Sequence, residues 1–182
     1  MRVDPSSHLI VGVRYVPSPN TDHRPDGCIP SLIVIHNISL PPNEFGGPYI
    51  EQLFTNQLDS NAHPYFASIA EQKVSAHALV CRDGSVVQFV PFNCRAWHAG
   101  ISGYQGNSNC NDFSIGIELE GTDELPYEEV QYAVLATLVD VLRIAYPSLS
   151  KQRIVGHSDI APQRKTDPGP SFEWQRLFNE LA

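Results

Sequence analysis

The chain has 182 residues and a mass of 20.2 kDa, the size of one compact domain spanning residues 1–182. Hydrophobic residues make up 42% of it and charged residues 18%, a balance that argues against both an intrinsically disordered chain and a membrane protein. Twelve basic residues against twenty acidic ones give a formal net charge of −8. This charge argues against a nucleic-acid partner, because nucleic-acid affinity rests on clustered Lys and Arg.

The ends of the chain and its cysteines predict a cytosolic protein. Residues 1–8 lack the basic start and the continuous apolar segment of a secretory signal. No apolar run approaches the ~20 residues of a membrane-spanning helix, so no membrane insertion is expected. Free and mostly buried thiols are favoured over disulfides or a Cys-rich zinc site, because the cysteines are widely spaced and form no Cys-x-x-Cys pair. They are Cys28, Cys81, Cys94 and Cys110.

Fifteen prolines and twelve glycines predict fixed loops around a modest number of regular elements. Residues 14–30 are rich in turn formers and are predicted as a loop. The apolar, β-branched run 31–36 indicates a strand buried on both faces. The spacing of apolar residues predicts an amphipathic helix from Pro48 to Leu58. Two strand-like runs between residues 74 and 90, joined at an Asp-Gly pair, predict an antiparallel hairpin.

The second half of the chain begins with a long loop, residues 91–111, of the kind that is often functional. Residues 112–121 alternate, which predicts a strand with one core face and one face carrying carboxylates. The longest helix is predicted from Pro126 to Tyr146, followed by a short strand at 153–157 and a last helix capped by Ser171. The expected apolar face of the longest helix consists of Val130, Val134, Leu138, Val141, Leu142 and Ala145.

Two histidines, His36 and His157, are candidates for a shared site. Each ends a buried apolar strand and begins a polar loop, where open α/β sheets place their active-site residues. Alternatively, both imidazoles merely hydrogen-bond to the backbone of their loops.

A third candidate group lies in the rigid segment 164–170. Asp167 precedes a proline, which favours an extended backbone and places it on the same face as Lys165. Two histidines and one carboxylate from separate loops form a recognised ligand set for catalytic zinc. Asp159 is the rival carboxylate, although its position is more simply explained as a turn or helix cap.

Hydrolysis at such a site also requires a base and a group that stabilises the developing oxyanion. Glu118 suits the first role, because it lies on the polar face of a predicted strand where partial desolvation would raise its pKa. Lys165 suits the second.

These residues belong to segments that resemble the zinc N-acetylmuramoyl-L-alanine amidases of the amidase type 2 and peptidoglycan-recognition fold, and most closely the cytosolic anhydro-muropeptide amidases of cell-wall recycling. The segments come in the family's order and span nearly the whole chain. They are SLIVIHNISLPP (31–42), NAHPYF (61–66), VSAH (74–77), RAWHAG (95–100), CNDFSIGIELEG (110–121), GHSDIAP (156–162) and KTDPGP (165–170).

The resemblance implies an α/β (α+β) fold, a single domain in which helices flank a central mixed β-sheet. It implies one Zn²⁺ held by His36, His157 and Asp167, with Glu118 acting on the attacking water and Lys165 stabilising the tetrahedral intermediate. The implied reaction is hydrolysis of the amide between anhydro-N-acetylmuramic acid and the L-Ala of a stem peptide. The implied partner is thus a small muropeptide, bound in a groove by a protein expected to be a monomer.

The resemblance also marks five residues as candidates for binding substrate. Asn37, Trp97 and His98 match groove-lining positions, although Trp97 and His98 would serve equally well as loop packing. Lys73 and Asn109 stand where arginines are expected to clamp the stem-peptide carboxylates. Lysine offers only a point charge and asparagine none, so the peptide preference stays open.

Two other functions compete with this hypothesis. A non-catalytic receptor for peptidoglycan fragments would share the fold but lack a zinc ligand, whereas this chain has all three. A Cys–His hydrolase would need one cysteine beside a general base.

Overall fold

The computed structural model describes all 182 residues, in ten strands and four α-helices joined by loops and short 3-10 turns. The strands are β1 (Arg14–Tyr15), β2 (Thr21–His23), β3 (Leu32–Ile38), β4 (Ala78–Val80), β5 (Val86–Gln88), β6 (Cys94–Ala96), β7 (Gly103–Tyr104), β8 (Asn107–Ser108), β9 (Ser114–Glu120) and β10 (Ile154–Gly156). The helices are α1 (Tyr49–Phe54), α2 (Glu129–Ala145), α3 (His157–Ile160) and α4 (Trp174–Glu180). No helix combines the length and the apolar character that crossing a bilayer requires.

Six strands form one mixed sheet in the order β1-β5-β4-β9-β3-β10. The central strand β9 runs parallel to β4 and β3, and β10 runs parallel to β3 on its other side. β4 and β5 form the antiparallel hairpin predicted from the Asp-Gly pair. The prediction of a mixed sheet flanked by helices is therefore confirmed.

Apolar side chains cover both faces of this sheet. On one face, Ile33, Ile35, Ile115 and Ile117 belong to a buried cluster with residues of α2 and α4. On the other face, a second cluster includes β4 and β5 residues together with Ile50, Leu53 and Phe54 of α1. Because side chains alternate along a strand, His36 and Glu118 lie on the face opposite α2.

The predicted strand with one core face and one face carrying carboxylates is confirmed as β9. Every residue of β9 is buried, on the carboxylate face as well as on the apolar face. β9 lies between two parallel partners, and the loop around His98 covers its second face. Alternation along β9 therefore separates two buried faces, one apolar and one carrying carboxylates.

The buried face of the longest helix differs from the face predicted for it. α2 begins at Glu129, three residues after Pro126, and the Glu128 backbone N–H before it donates to Gln131 Oε1, at 3.0 Å. Val130 and Ala145 are exposed. The buried face consists of Gln131, Tyr132, Leu135, Ala136, Leu138, Val139 and Leu142.

Other element boundaries differ from the predictions. The regions 14–30 and 91–111 are not continuous loops, because β2 from the first pairs with β6 from the second. α1 ends at Phe54, so Leu58 is buried beyond the helix. α4 begins at Trp174, and Ser171 does not cap it. All four cysteines are free, as predicted, but only Cys110 is fully buried.

Gln131 links α2 to the sheet and was not singled out by the sequence. Its side chain is fully buried, and its Nε2 donates to the carbonyls of Val80 and Glu120, at 3.2 and 3.0 Å. One side chain therefore satisfies the carbonyls that end two neighbouring strands, β4 and β9.

We expect Gln131→Leu to lower the free energy of unfolding by about 2–4 kcal/mol, because two buried carbonyls lose their donors while the volume stays similar. Denaturant unfolding followed by circular dichroism measures the change. Gln175→Leu, on an exposed position of α4, is the control and should change stability by less than about 0.5 kcal/mol. Equal stabilities for the two variants would contradict this role of Gln131.

Candidate metal centre

Three electron-pair donors from distant parts of the chain meet near the carboxyl end of β3. His36 Nδ1 lies 2.9 Å from His157 Nδ1 and 3.1 Å from Asp167 Oδ2. His157 Nδ1 and Asp167 Oδ2 are 3.0 Å apart. Both imidazoles are buried, and the carboxylate is partly exposed. This cluster could hold a metal ion.

Parallel pairing of β3 and β10 brings the two histidines together. Ile35 lies opposite Gly156 in the register, so the residues that follow, His36 and His157, lie side by side. β3 continues for two residues beyond His36, and His157 is the first residue of α3 rather than the last of a strand. The sequence located both side chains correctly at this end of the sheet.

The segment that carries Asp167 is fixed from two sides. A Cβ at Gly156 would lie 2.8 Å from Pro168 Cδ, so only glycine lets the segment pack this closely on β10. The backbone N–H of Ser158 donates to the Asp167 carbonyl, at 3.0 Å. The Tyr127 hydroxyl donates to the Pro168 carbonyl, at 2.7 Å.

Asn37 also holds this segment. Its Nδ2 donates to Asp123 Oδ1 at 2.8 Å and to the Pro168 carbonyl at 3.1 Å. Asn37 lines the cleft beside the cluster, but the protein itself uses both hydrogens of its amide. Only its carbonyl oxygen is left for a ligand.

Asp159, the rival carboxylate, does not belong to the donor cluster. Its Oδ2 accepts a hydrogen bond from the Gly156 backbone N–H, at 2.7 Å, at the start of α3. This is the capping role that its sequence context favoured.

Glu118 lies opposite His36 in the register of β9 and β3. Only 9% of its surface is exposed, and its Oε2 is buried without a hydrogen-bond partner. Burial and the nearby Asp167 carboxylate raise the pKa of Glu118 well above its ordinary value, while Lys165 opposes that rise. A buried carboxyl group with a raised pKa can exchange a proton near neutral pH.

Burial also keeps the His36 imidazole neutral. It lowers the pKa of His36 to about 4, against the opposing hydrogen bond with Asp167. Burial alone would raise the pKa of Asp167, but its hydrogen bonds with His157 and His36 hold that pKa well below the ordinary value. A neutral His36 and an ionised Asp167 are in the protonation states in which these groups bind metals.

Behind the cluster, both histidines are hydrogen-bonded through their second ring nitrogen. His36 Nε2 lies 2.9 Å from His98 Nδ1, and His157 Nε2 donates to the Ala99 carbonyl at 3.2 Å. His98 Nε2 lies 3.0 Å from Ser114 Oγ. The His98–Ser114 contact was not predicted, since it joins a loop to a strand that the sequence does not pair.

The cleft beside the cluster has a volume of about 340 Å³. One wall carries the donor cluster with Glu118 and Lys165, whose side chain is exposed. Trp97 lines the same cleft, and its indole Nε1 is buried without a partner. The facing apolar residues include Leu40, Leu53, Phe54, Ile69 and Val74. Such a cleft suits a ligand with polar groups along one side.

Of the five residues predicted to bind substrate, Asn37, Trp97 and His98 line this cleft. Lys73 does not, although its neighbours Gln72 and Val74 do. Asn109 is not a cleft residue either; it is exposed and begins a 3-10 turn with a positive φ of 57°. For all five, contact with substrate stays a prediction.

The chain is 62% identical over 164 residues to the 1,6-anhydro-N-acetylmuramyl-L-alanine amidase AmpD of Citrobacter freundii, covering 90% of this chain and 87% of that protein. The crystal structure of a selenomethionine AmpD derivative superposes with a TM-score of 0.96, at 56% identity and with both chains fully covered.

A more distant structure contains a ligand. It is the complex of the N-acetylmuramyl-L-alanine amidase AmiD from Escherichia coli with the substrate anhydro-N-acetylmuramic acid-L-Ala-D-gamma-Glu-L-Lys. It superposes with a TM-score of 0.61 at 31% identity, covering 87% of this chain and 60% of that one.

The model of the N-acetylmuramoyl-L-alanine amidase family matches residues 26–170. This match contains the whole donor cluster, Glu118 and Lys165. The chain therefore belongs to the N-acetylmuramoyl-L-alanine amidase family.

Proposed function

We propose that this protein is a zinc-dependent amidase of peptidoglycan recycling, which hydrolyses the amide between anhydro-N-acetylmuramic acid and the L-Ala of muropeptides. The observation that carries the proposal is the His36–His157–Asp167 cluster, with the unpartnered carboxyl group of Glu118 beside it. The names of the AmpD relatives and the substrate in the AmiD complex support this choice of bond.

The donor set fits zinc. Two imidazole nitrogens and one carboxylate oxygen are common ligands of catalytic zinc, which keeps a further position open. Ligands at ~2.0–2.1 Å from a tetrahedral zinc are about 3.3 Å apart, close to the 2.9–3.1 Å between these atoms. When bound, zinc would lower the pKa of a water molecule and polarise the carbonyl group of the substrate.

Glu118 is the proton carrier of the proposed reaction. Its unpartnered Oε2 can accept a proton from the attacking water, since no protein group competes for that oxygen. The raised pKa lets the same carboxyl group keep the proton until the amine of L-Ala leaves. Amide hydrolysis needs this delivery, because an unprotonated amine is a poor leaving group.

Lys165 stabilises the negative charge that develops on the carbonyl oxygen. It lines the cleft, and its positive charge opposes the rise in the pKa of Glu118 and adds to the fall in the pKa of His36, which supports a role at this site. A cation at this place favours the transition state over the neutral substrate.

Asn37 and Trp97 orient the muropeptide. The free carbonyl oxygen of Asn37 accepts from a peptide N–H, and the free indole Nε1 of Trp97 donates to a carbonyl or hydroxyl group. We retain Lys73 and Asn109 as candidate contacts for the outer end of the stem peptide. The amidase acts as a monomer.

The four free cysteines support a cytosolic location, since disulfides are rare in reducing compartments. They do not support a Cys–His hydrolase. No cysteine lines the cleft, and burial raises the pKa of Cys81, Cys94 and Cys110, which weakens them as nucleophiles.

The reaction is tested by incubating the purified protein with anhydro-muropeptides, with and without a chelator, and identifying the products by mass spectrometry. We expect free stem peptide and anhydro-N-acetylmuramic acid, no product with chelator, and recovery on adding zinc. A zinc-loaded protein that binds the muropeptide but never cleaves it would favour the receptor instead.

Two aspartate variants test the ligand assignment. We expect Asp167→Ala to lose the bound zinc, because one of three protein donors disappears. Asp159→Ala should keep about one zinc per chain, because that carboxylate caps α3. Zinc content is measured by atomic emission on folded protein. Loss of zinc from Asp159→Ala alone would show that the wrong carboxylate was assigned.

Glu118→Gln should keep zinc and fold but lower kcat by about 10²–10⁴-fold, since an amide of the same shape cannot take up the proton. The matched control is Glu120→Gln on the same buried face of β9, whose carboxylate oxygens accept backbone N–H groups from Gly46 and Arg82. This control should keep most of its turnover. Near-normal turnover in Glu118→Gln would refute the role of this residue.

A further inference from the structure

A row of hydrogen bonds leads away from the donor cluster through His36. It passes from His36 Nε2 to His98 Nδ1, from His98 Nε2 to Ser114 Oγ, and from Ser114 Oγ to the Cys110 carbonyl, at 2.9, 3.0 and 2.5 Å. His98, Ser114 and Cys110 are all buried. Solvent is therefore not available to replace any of these bonds.

The last bond of the row fixes the direction of the others. A carbonyl oxygen carries no hydrogen, so the 2.5 Å contact requires the Ser114 hydroxyl to donate to Cys110. Ser114 Oγ then accepts from His98, which places a hydrogen on His98 Nε2. With its one ring hydrogen on Nε2, His98 presents a bare Nδ1 that accepts from His36 Nε2–H.

The reverse direction would disable the cluster. If Ser114 donated to His98, two oxygens 2.5 Å apart would face each other without a hydrogen between them. His98 Nδ1–H would then donate to His36 Nε2, and the hydrogen of His36 would lie on Nδ1, inside the donor cluster. A protonated Nδ1 cannot bind a metal.

We propose that His98 is a positioning residue: it fixes the tautomer and ring orientation of His36 so that the Nδ1 lone pair faces the metal. This inference rests on the proposed zinc function. It differs from the substrate contact predicted for His98, which would require one of the two ring nitrogens to give up its protein partner. A ligand's hydrogen-bond partner of this kind commonly changes metal affinity when it is removed.

The surrounding backbone is adapted to the His98 ring. A Cβ at Gly116 would lie 2.4 Å from His98 Cγ, so β9 accommodates the ring only because this residue is glycine. Asn111 Oδ1 accepts from the backbone N–H groups of both His98 and Ala99, at 3.1 and 2.8 Å. His98 therefore contacts His36, the Ala99 carbonyl contacts His157, and the side-chain amide of Asn111 holds the backbone of both.

The tautomer can be observed directly. Long-range ¹H–¹⁵N NMR of the metal-free and zinc-loaded protein should show His98 with a protonated Nε2 and a bare Nδ1 in both states. The spectrum of His98→Gln, which lacks these signals, assigns them. A protonated Nδ1 on His98 would overturn the proposal.

Zinc affinity gives a second, independent test by competition with a chelator. We expect His98→Leu, of similar volume but without an acceptor, to raise the Kd for zinc by about 10–100-fold. His98→Gln keeps an acceptor oxygen and should raise the Kd less. Equal and unchanged affinities in both variants would overturn the proposal.

Ser114→Ala serves if the His98 variants do not fold, as judged by thermal unfolding of the metal-free protein. It removes the acceptor that orders His98, so we expect weaker zinc binding and a mixture of His98 tautomers. The matched control is Ser18→Ala, because the buried Ser18 hydroxyl also donates to a carbonyl, that of Phe54, at 2.5 Å. This control should leave the Kd for zinc unchanged.

These outcomes separate the proposal from the zinc function on which it rests. If the unaltered protein binds no zinc, the zinc function fails. If zinc binds normally to His98→Leu and Ser114→Ala, only the positioning role fails.

Discussion

The crowding of three electron-rich atoms at the end of the sheet is the constraint on which the rest of the site depends. Two imidazole nitrogens and a carboxylate oxygen lie within 3.1 Å of one another, which is unfavourable unless a cation or shared protons lie between them. The fold maintains this arrangement by parallel strand pairing and by close packing on Gly156. Such convergence is typical of a metal site and unnecessary for structure alone.

Burial gives each group around the cluster its own chemical character. The His36 imidazole stays neutral because its charged form is poorly solvated, whereas Asp167 stays ionised because of its hydrogen bonds. Glu118 experiences the same burial without a hydrogen-bond partner at Oε2, so its pKa rises instead. The carboxyl groups of Asp167 and Glu118 thus have pKa values shifted in opposite directions, which is the usual sign of divided roles.

The clustering of His36, His157 and Asp167 could be predicted from the sequence because local patterns mark these residues. A buried strand followed by polar residues located His36 and His157, and the cap-like context of Asp159 separated it from Asp167. Local patterns did not predict features that depend on residues distant in the sequence. Gln131 is buried where its amide donates to two strand carbonyls. The buried face of α2 therefore differs from the face predicted by apolar spacing.

His98 illustrates the same limit within the site. The sequence could place it in a functional loop, but its partners His36 and Ser114 come from two strands that only the tertiary fold brings together. A glycine on the otherwise polar face of β9, at position 116, was the one local signal that something packs there. Without the order of the strands, the sequence could not show that Gly116 faces the His98 ring.

Zinc K-edge X-ray absorption on the purified protein tests most directly whether these residues form the metal centre. We expect a first shell of nitrogen and oxygen atoms only, with the outer-shell scattering of two imidazole rings. A sulfur atom at about 2.3 Å, or a number of imidazoles other than two, would contradict the ligand set of His36, His157 and Asp167.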